Sequence, residues 1–208
     1  MKKVATIVCG SPFLTLPKTL EGYVVGADKG ALRLLEAGFN VDVAIGDFDS
    51  VTPAEYQYIA EKAKHVVKLP VEKDVTDAEA AVVHVIDLGY TCVRLYGALG
   101  GRFDHQFGVV VLMLKYAKKG IEMTAVDEKN KVLILSPGYH QIQIEHTYFS
   151  LFALDQVVQN LTITGAKYPL AGYDLAVDDS MCVSNEAISD AVSIQFDAGY
   201  LLISMSSD

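Results

Sequence analysis

Residues 41–50, VDVAIGDFDS, join a short apolar run to an acidic loop. The run VDVAI contains alternating and β-branched apolar residues, which predicts a buried strand. The loop GDFDS follows at once, so two carboxylates stand at the carboxyl end of that strand. Because ligands of parallel α/β sheets bind beyond the carboxyl ends of the strands, this stretch predicts the edge that carries the site if the sheet is of that kind.

The segments on either side of this stretch alternate between strand and helix patterns. Apolar strand-like runs lie at residues 4–9, 23–27, 41–45, 65–69, 92–96 and 122–126. Helix-like stretches separate them at residues 29–37, 53–63, 77–88 and 104–119. Strands that alternate with helices indicate a parallel sheet covered on both faces, so we expect an α/β fold with a Rossmann-like parallel sheet and flanking helices.

The pattern changes after about residue 130. The apolar runs become short and often alternate with polar residues, and turn signals separate them: KVLILS, HQIQIEH, YFSLFAL, NLTITG, AVSIQF and YLLISM. These features predict an antiparallel all-β domain of the sandwich or barrel type. The charged segment DEKNK (127–131) is the predicted linker. We therefore expect an α/β domain over residues 1–128 and a smaller all-β sandwich domain over residues 129–208.

Composition and charge narrow the classes of function. The 208 residues carry a net charge of −9 and no basic block, which disfavours non-specific binding to nucleic acid. No apolar run approaches the length of a membrane span, so we expect a soluble, cytoplasmic protein. The cysteines match no metal-binding spacing and are expected to be inert buried thiols, at Cys9, Cys92 and Cys182.

Asp47 and Asp49 are the first candidate metal ligands. Two carboxylates two residues apart repel each other unless a cation lies between them, and hard oxygen ligands suit Mg²⁺. On an extended chain they would lie about 6–7 Å apart on one face, whereas a loop lets them converge on one ion. A plain turn explains the same residues, because Asp and Ser favour turns and Gly permits one.

A second acidic segment runs from Lys73 to Glu79, just after another predicted strand. Thr76 and Glu79 match a capping box, and Asp77 lies in the first helical turn, where a negative charge is favourable. Capping alone explains Asp74 less well, particularly with Lys73 beside it. The segment is therefore a candidate for ligand binding as well as for helix initiation.

Two further elements follow strands in the same way. In GALGGRFDH (97–105), glycines permit close approach of a ligand and Arg102 offers a fork that matches phosphate oxygens. Asp104 could cap the next helix, receive a metal or orient Arg102, and a glycine-rich turn is the simpler explanation. In GADKG (26–30), Asp28 could cap a helix. Four such elements at successive strand ends would converge along one rim of the sheet, which indicates a metal-dependent phosphate site.

The joint pattern resembles a known family. GDFDS, KDVTD and GGRFDH, in this order and spacing, resemble the motifs of thiamine pyrophosphokinases. Downstream, GAKYPL (165–170) and SNE (184–186) resemble two further stretches of that family. The resemblance extends over nearly the whole chain, and the three acidic motifs are specific together although no single one is.

The resemblance implies an activity and an assembly. It implies an enzyme that transfers the diphosphoryl group of ATP to the hydroxyl of thiamine, gives thiamine diphosphate and AMP, and uses Mg²⁺. It also implies a homodimer with active sites at the subunit interface. Residues 1–128 would then bind the nucleotide and metal, and residues 129–208 would bind thiamine.

The resemblance further implies roles for individual residues. The Mg²⁺ ligands would be Asp47, Asp49 and Asp77, and these three would serve catalysis together with Arg102 and Asp104. The nucleotide and the diphosphate would be contacted by Asp28, Lys73, Asp74, Thr76, Arg102 and Asp104. Thiamine would be seated by Ser184 and Asn185, from the partner subunit. The sequence does not choose between Asp77 and Asp104 as the acceptor of the hydroxyl proton.

This chain departs from the family pattern in three respects. Residues 10–20, GSPFLTLPKTL, are unlike the usual N-terminal turn of the family. The family usually reads ADGG where this chain has Lys29 between Asp28 and Gly30. There is no Trp, so an aromatic ring stacked on thiamine must come from Tyr or Phe.

Other classes of function remain open at the level of sequence. DFDS is similar to the DxDx motif of phosphohydrolases that form a covalent intermediate, although that motif usually follows the first strand and this one follows the third. A sugar-nucleotide enzyme with a metal-binding DxD leaves the SNE segment unexplained. A nucleotide or thiamine sensor would bind its ligand without turnover.

Overall fold

The computed structural model describes residues 2–11, 14–72 and 74–208. The chain forms two compact units. The first contains the residues up to Leu112 together with Ile121–Glu128, and the second contains Met113–Gly120 and Lys129–Asp208. The assignment of nucleotide binding to residues 1–128 and of thiamine binding to residues 129–208 stays a prediction.

The first unit is an α/β structure built on a parallel sheet. Its strands are β1 (Val4–Val8), β2 (Tyr23–Ala27), β3 (Val43–Gly46), β4 (Val66–Lys68), β5 (Cys92–Tyr96) and β6 (Glu122–Val126). They lie in the order β4-β3-β2-β1-β5-β6, and each neighbouring pair is parallel. Helices follow β2, β3, β4 and β5 in turn: α1 (Lys29–Glu36), α2 (Pro53–Lys62), α3 (Asp77–Asp87) and α4 (Phe103–Ala117). The residues of α4 from Met113 onward belong to the second unit.

Burial along these strands follows from their sequences. β1 and β2 are buried at four of their five positions, and β3 is buried throughout, as expected of uninterrupted apolar runs at the centre of a parallel sheet. The edge strand β4 has no buried position. Strand order runs outward from β1 in both directions, so the order reverses between β1 and β5. Ligands of open α/β sheets bind at such a reversal.

Helix α2 begins at a complete capping box. Thr52 accepts a hydrogen bond from the Glu55 amide at 3.3 Å, and the Glu55 carboxylate accepts one from the Thr52 amide at 2.6 Å. Pro53, at the start of the helix, lacks an N–H that would otherwise be unpaired there. These features fix where α2 starts, three residues after the acidic loop that follows β3.

The second unit is antiparallel. Its strands are β7 (Asn130–Leu135), β8 (Gly138–Ile142), β9 (Tyr148–Ala153), β10 (Val158–Thr164), β11 (Leu170–Leu175), β12 (Val192–Phe196) and β13 (Leu201–Ser206). β13 pairs with β7 and with β9, and the order β11-β10-β12-β8 forms another sheet. Both sets of strands contribute to one apolar cluster, which contains Phe149 and Leu151 of β9 and Ile163 of β10.

The predicted succession of an α/β structure and an antiparallel β structure is confirmed. No helix in the part of the chain that the structure describes is long and apolar enough to span a membrane.

Candidate active site

The loop after β3 turns sharply between its two aspartates. Phe48 has a φ of 60°, which is unusual for a residue with a large side chain, and its ring is only 6% exposed. That ring packs against Tyr56 of α2, with 5.2 Å between ring centroids. The Asp49 amide donates a hydrogen bond to Asp47 Oδ1 at 3.2 Å. Burial of Phe48 thus holds a strained turn that brings both carboxylates to the same edge of the sheet.

Asp28, at the end of β2, joins these two aspartates. Carboxylate oxygens of Asp28, Asp47 and Asp49 all lie within 4.8 Å of one another. The neighbouring parallel strands β2 and β3 bring them together, and the Asp28 amide donates to the Ile45 carbonyl at 2.9 Å. Gly46 permits this approach, because a Cβ there would lie 3.1 Å from Asp28 N and Cα.

Only one oxygen of the Asp28 carboxylate accepts a hydrogen bond from the described residues. The Ser50 hydroxyl donates a hydrogen bond to Oδ2. Oδ1 is buried, and no donor among the described residues reaches it. A buried polar atom of this kind calls for a water molecule or an ion. The free oxygen is therefore the feature that most directly indicates a cation at this cluster.

Mutual repulsion acts on the same cluster. The charge of Asp47 raises the pKa of the Asp49 carboxyl above its ordinary value, with further contributions from desolvation and from Asp28 and Asp77. Repulsion within a set of carboxylates is removed when a cation binds between them. Opposite oxygen ligands of a Mg²⁺ ion are about 4.2 Å apart, so the spacing and the all-oxygen chemistry of the cluster both fit this ion.

The predicted metal set differs from this cluster in one member. Asp77 is the first residue of α3 and is half-buried; its charge acts on Asp49, but it lies outside the group of carboxylates within 4.8 Å. The structure thus brings Asp47 and Asp49 together with Asp28, which the sequence placed at the nucleotide, and the role of Asp77 as a metal ligand stays a prediction.

The remaining residues of the second acidic segment have simpler surroundings. Thr76 is the N-cap of α3, and its hydroxyl accepts a hydrogen bond from the Glu79 amide at 3.2 Å. Asp74 is exposed. Lys73, a predicted nucleotide contact, lies outside the residues that the structure describes. The predicted nucleotide-binding roles of these residues are not tested by their positions.

Arg102 and Asp104 form a bidentate ion pair at the start of α4. Arg102 Nε and Nη2 donate to the two Asp104 carboxylate oxygens at 3.1 and 2.5 Å. This pairing lowers the pKa of Asp104 and raises that of Arg102. Of the alternatives for Asp104, orientation of Arg102 is the one that the structure displays. The pair is exposed, so an incoming phosphate can compete for the guanidinium.

The cysteines offer no activated nucleophile. All three are free thiols. Burial, assisted by the charges of Asp77 and Asp28, raises the pKa of Cys9 to about 12, and burial raises that of Cys182 to about 11. Such thiols stay protonated at neutral pH, in agreement with their predicted inertness. Burial was predicted for all three cysteines, but only Cys182 is buried, and Cys9 and Cys92 are half-buried.

The two residues that were expected to seat thiamine differ in how far they are exposed to solvent. Ser184 is exposed and has a φ of 58°, and its amide donates to Ser150 Oγ at 3.0 Å. Asn185 is only 5% exposed. Near them along the surface of this unit, Tyr168 of the GAKYPL stretch is 59% exposed. Ser184 and Tyr168 can therefore meet a ligand directly, whereas the Asn185 side chain faces the interior.

Sequence reasoning missed Ser50 and the full role of Asp28. Ser50 is part of the GDFDS motif, but its partner lies 22 residues earlier in the chain. The sequence does show that Asp28 and Asp47 each follow a strand. It does not show that β2 and β3 are neighbours, which is what brings the two residues together.

Comparison with known proteins gives this geometry a family. A family model described as the catalytic domain of thiamin pyrophosphokinase matches residues 19–125, and one described as its vitamin B1 binding domain matches residues 139–201. The thiamine pyrophosphokinase of Bacillus subtilis is 32% identical over 214 residues, which cover 99% of this chain and 100% of that protein.

This chain belongs to the thiamine pyrophosphokinase family.

Solved structures of thiamine pyrophosphokinases agree with this assignment. The Bacillus subtilis crystal structure superposes with a TM-score of 0.90 at 33% identity and covers 99% of this chain and 100% of its own. The structure from Geobacillus thermodenitrificans gives a TM-score of 0.86 at 35% identity, with 99% and 98% covered. The chain is therefore a diphosphotransferase that acts on thiamine with ATP as co-substrate, and the phosphohydrolase, sugar-nucleotide and sensor hypotheses are not favoured.

Proposed function

We propose that this enzyme binds ATP as its Mg²⁺ complex at the carboxylates of Asp28, Asp47 and Asp49 in the first unit. It seats thiamine on the segment around Ser184 in the second unit. The observation that carries the proposal is the convergence of Asp28, Asp47 and Asp49, with Asp28 Oδ1 buried and unsupported.

Asp28, Asp47 and Asp49 would hold the metal, and Asp77 is the predicted fourth carboxylate. Mg²⁺, when bound, neutralises negative charge on the phosphate oxygens of ATP. The protein contributes the placement of the ligands: the Phe48 turn sets Asp47 against Asp49, and the Ser50 hydroxyl fixes the orientation of the Asp28 carboxylate.

The remaining chemistry is alignment and proton transfer. The thiamine hydroxyl oxygen forms a bond to the β-phosphorus of ATP, the bond from that phosphorus to the oxygen it shares with the α-phosphate breaks, and AMP leaves. Arg102 would neutralise charge on the transferred group. Asp77 and Asp104 are the two candidate proton acceptors, and the ion pair with Arg102 lowers the pKa of Asp104, which makes that carboxylate a weaker base.

Nucleotide binding by the first unit is supported by its topology. The strand order reverses between β1 and β5, as in Rossmann-like sheets, and GALGGR follows β5 directly. Backbone N–H groups at the start of α4 and the Arg102 side chain suit phosphate oxygens. The names of the two matching family models support the division of labour between residues 1–128 and residues 129–208.

A homodimer with active sites at the subunit interface is supported by an apolar stripe on α4. Phe103, Phe107 and Val111 recur at a spacing of four residues and are 77%, 58% and 52% exposed. The two phenylalanine rings stack on each other with 6.1 Å between centroids. Exposed apolar stripes of this kind mark protein contacts. We place the enzyme in the cytoplasm, since its co-substrate is ATP and its cysteines are unpaired.

Product analysis tests the proposal. The purified protein, incubated with ATP, Mg²⁺ and thiamine, should form AMP and thiamine diphosphate in equal amounts. Formation of ADP or orthophosphate would contradict the reaction. Asp49→Asn should lose most of kcat with unchanged far-UV circular dichroism, and wild-type turnover of that variant at saturating Mg²⁺ would contradict the metal assignment.

A further inference from the structure

The Asn185 side chain is only 5% exposed and is hydrogen-bonded within the protein at both its oxygen and its nitrogen. Its Oδ1 accepts hydrogen bonds from the Tyr168 amide at 3.0 Å and the Glu186 amide at 2.9 Å, and its Nδ2 donates to the Tyr168 carbonyl at 2.8 Å. Its backbone N and O both pair with Phe149 at 2.8 Å. An amide oxygen has two lone pairs, so this oxygen has none left for a ligand.

These bonds join two segments that are distant in sequence. The Lys167 amide donates to the Glu186 carbonyl at 2.8 Å, and the two side chains form an ion pair at 2.6 Å. The Ile188 amide donates to the Gly165 carbonyl at 3.0 Å. Residues 165–168 therefore lie alongside residues 185–188, with the Asn185 amide bridging them at Tyr168.

The hydrogen bonds from the Asn185 amide to Tyr168 and Glu186, here called the clamp, leave two side chains on the surface. Tyr168 is 59% exposed, although both of its backbone hydrogen-bonding groups are held by the Asn185 amide. Ser184 immediately precedes Asn185, is exposed, and has its amide held by Ser150. The backbones that carry this ring and this hydroxyl are thus fixed with respect to each other before any ligand arrives.

We infer that Asn185 is a positioning residue for thiamine, one that sets Tyr168 and Ser184 in register with each other and contacts no ligand atom itself. This inference rests on the proposed function, in which the Ser184 segment seats thiamine. A binding surface that is ordered in advance spares the ligand the entropy of ordering it, so loss of the clamp weakens thiamine binding while the ATP site is untouched.

Asn185→Asp disrupts the clamp while it keeps the size and shape of the side chain nearly unchanged. The new carboxylate keeps the acceptors for the Tyr168 and Glu186 amides but places an oxygen against the Tyr168 carbonyl in place of a donor. Loss of one buried hydrogen bond and the new repulsion predict that KM for thiamine rises about tenfold. We expect KM for ATP and kcat at saturating thiamine to stay within about twofold of wild type, as when binding common to the ground and transition states is lost.

The control is Gln195→Glu, the same amide-to-acid change at an exposed position of β12 in the same unit. It should leave all three constants unchanged. A double-mutant cycle with Tyr168→Ala separates positioning from direct contact. If Asn185 acts through Tyr168, Asn185→Asp adds little to the defect of Tyr168→Ala; if the two effects add fully, Asn185 does not act through Tyr168 and the inference is wrong.

Amide hydrogen exchange, measured by NMR on the wild-type protein, tests the clamp without any variant. In the thiamine-free wild-type protein the Tyr168 and Glu186 amides should already be protected. Exchange at the rate of an exposed peptide would overturn the inference. An unchanged thiamine KM in Asn185→Asp would overturn it as well, while leaving the proposed function standing; a wild-type enzyme that forms no thiamine diphosphate would remove the proposed function itself.

Discussion

Asp28→Asn should stabilise the metal-free protein and at the same time weaken its response to Mg²⁺. The carboxylates of Asp28 and Asp47 are both half-buried, and their oxygens lie within 4.8 Å of each other. Two unit charges at that distance repel by about 0.9 kcal/mol even at the dielectric constant of water. The neutral amide removes this repulsion and still offers an oxygen to the Ser50 hydroxyl, so the local hydrogen bond is retained.

Thermal unfolding with and without Mg²⁺ measures both effects. In a chelator, relief of about 1 kcal/mol raises Tm by about 2–4 °C for a protein of this size. With Mg²⁺ the order reverses, because a ligand at a hundred times its Kd stabilises the wild type by about 2.7 kcal/mol and the variant has lost one anionic ligand. Asp178→Asn, an exposed change of equal charge in the other unit, should alter neither result.

The reasoning fails if Asp28→Asn keeps the full Mg²⁺-dependent rise in Tm. It also fails if the variant is less stable than wild type in the chelator, because repulsion by the Asp28 carboxylate would then not be its main effect on the metal-free protein.

Three further predictions concern the rest of the molecule. In Arg102→Gln the pKa of Asp104 should rise toward its ordinary value, and NMR titration of the carboxyl carbon checks this; a curve identical to that of the wild type would mean that the pair does not persist in solution. Gly30→Ala should strongly destabilise the fold, because its Cβ would lie 2.0 Å from a β1 carbonyl oxygen, whereas Lys29→Gly should cost no more than about 1 kcal/mol; equal midpoints in urea would contradict this contrast. Phe107→Asp should convert a dimer into monomers in light scattering and reduce activity, and an unchanged molar mass would exclude the α4 stripe as the interface.

Local patterns were sufficient for the elements of the first unit. Uninterrupted apolar runs encode buried parallel strands, and glycines and caps mark the ends of the helices between them. The two aspartates of GDFDS could be placed at a strand end for the same reason. That Asp28 joins them depends on which strands are neighbours, and no local pattern states this.

The second unit was harder to predict in detail. Strand β11 was not among the predicted runs, because LAGYDL contains a glycine and a charged residue and follows a stretch that resembles a turn. Asn185 was expected at the ligand because it belongs to a motif, but the Ser184–Glu186 segment is irregular, so alternation cannot say which side chain faces inward. Only the hydrogen bonds to Tyr168 settle its direction.

The departure at Lys29 is accommodated for a physical reason. Lys29 is the first residue of α1 and is half-buried, with no need for a glycine conformation. Gly30 is the position where the helix presses against β1, and there the family residue is retained.

The turn at Phe48 ties the proposed metal ligands Asp47 and Asp49 to the interior of the protein. The residue between two ligands is itself a core residue, wedged against Tyr56 of α2. We therefore expect a substitution that loosens the contact between Tyr56 and Phe48 to shift the spacing of the carboxylates. Substitutions in the core around Phe48 would then change the affinity of the proposed site for a metal ion, although none of the substituted residues contacts the substrate.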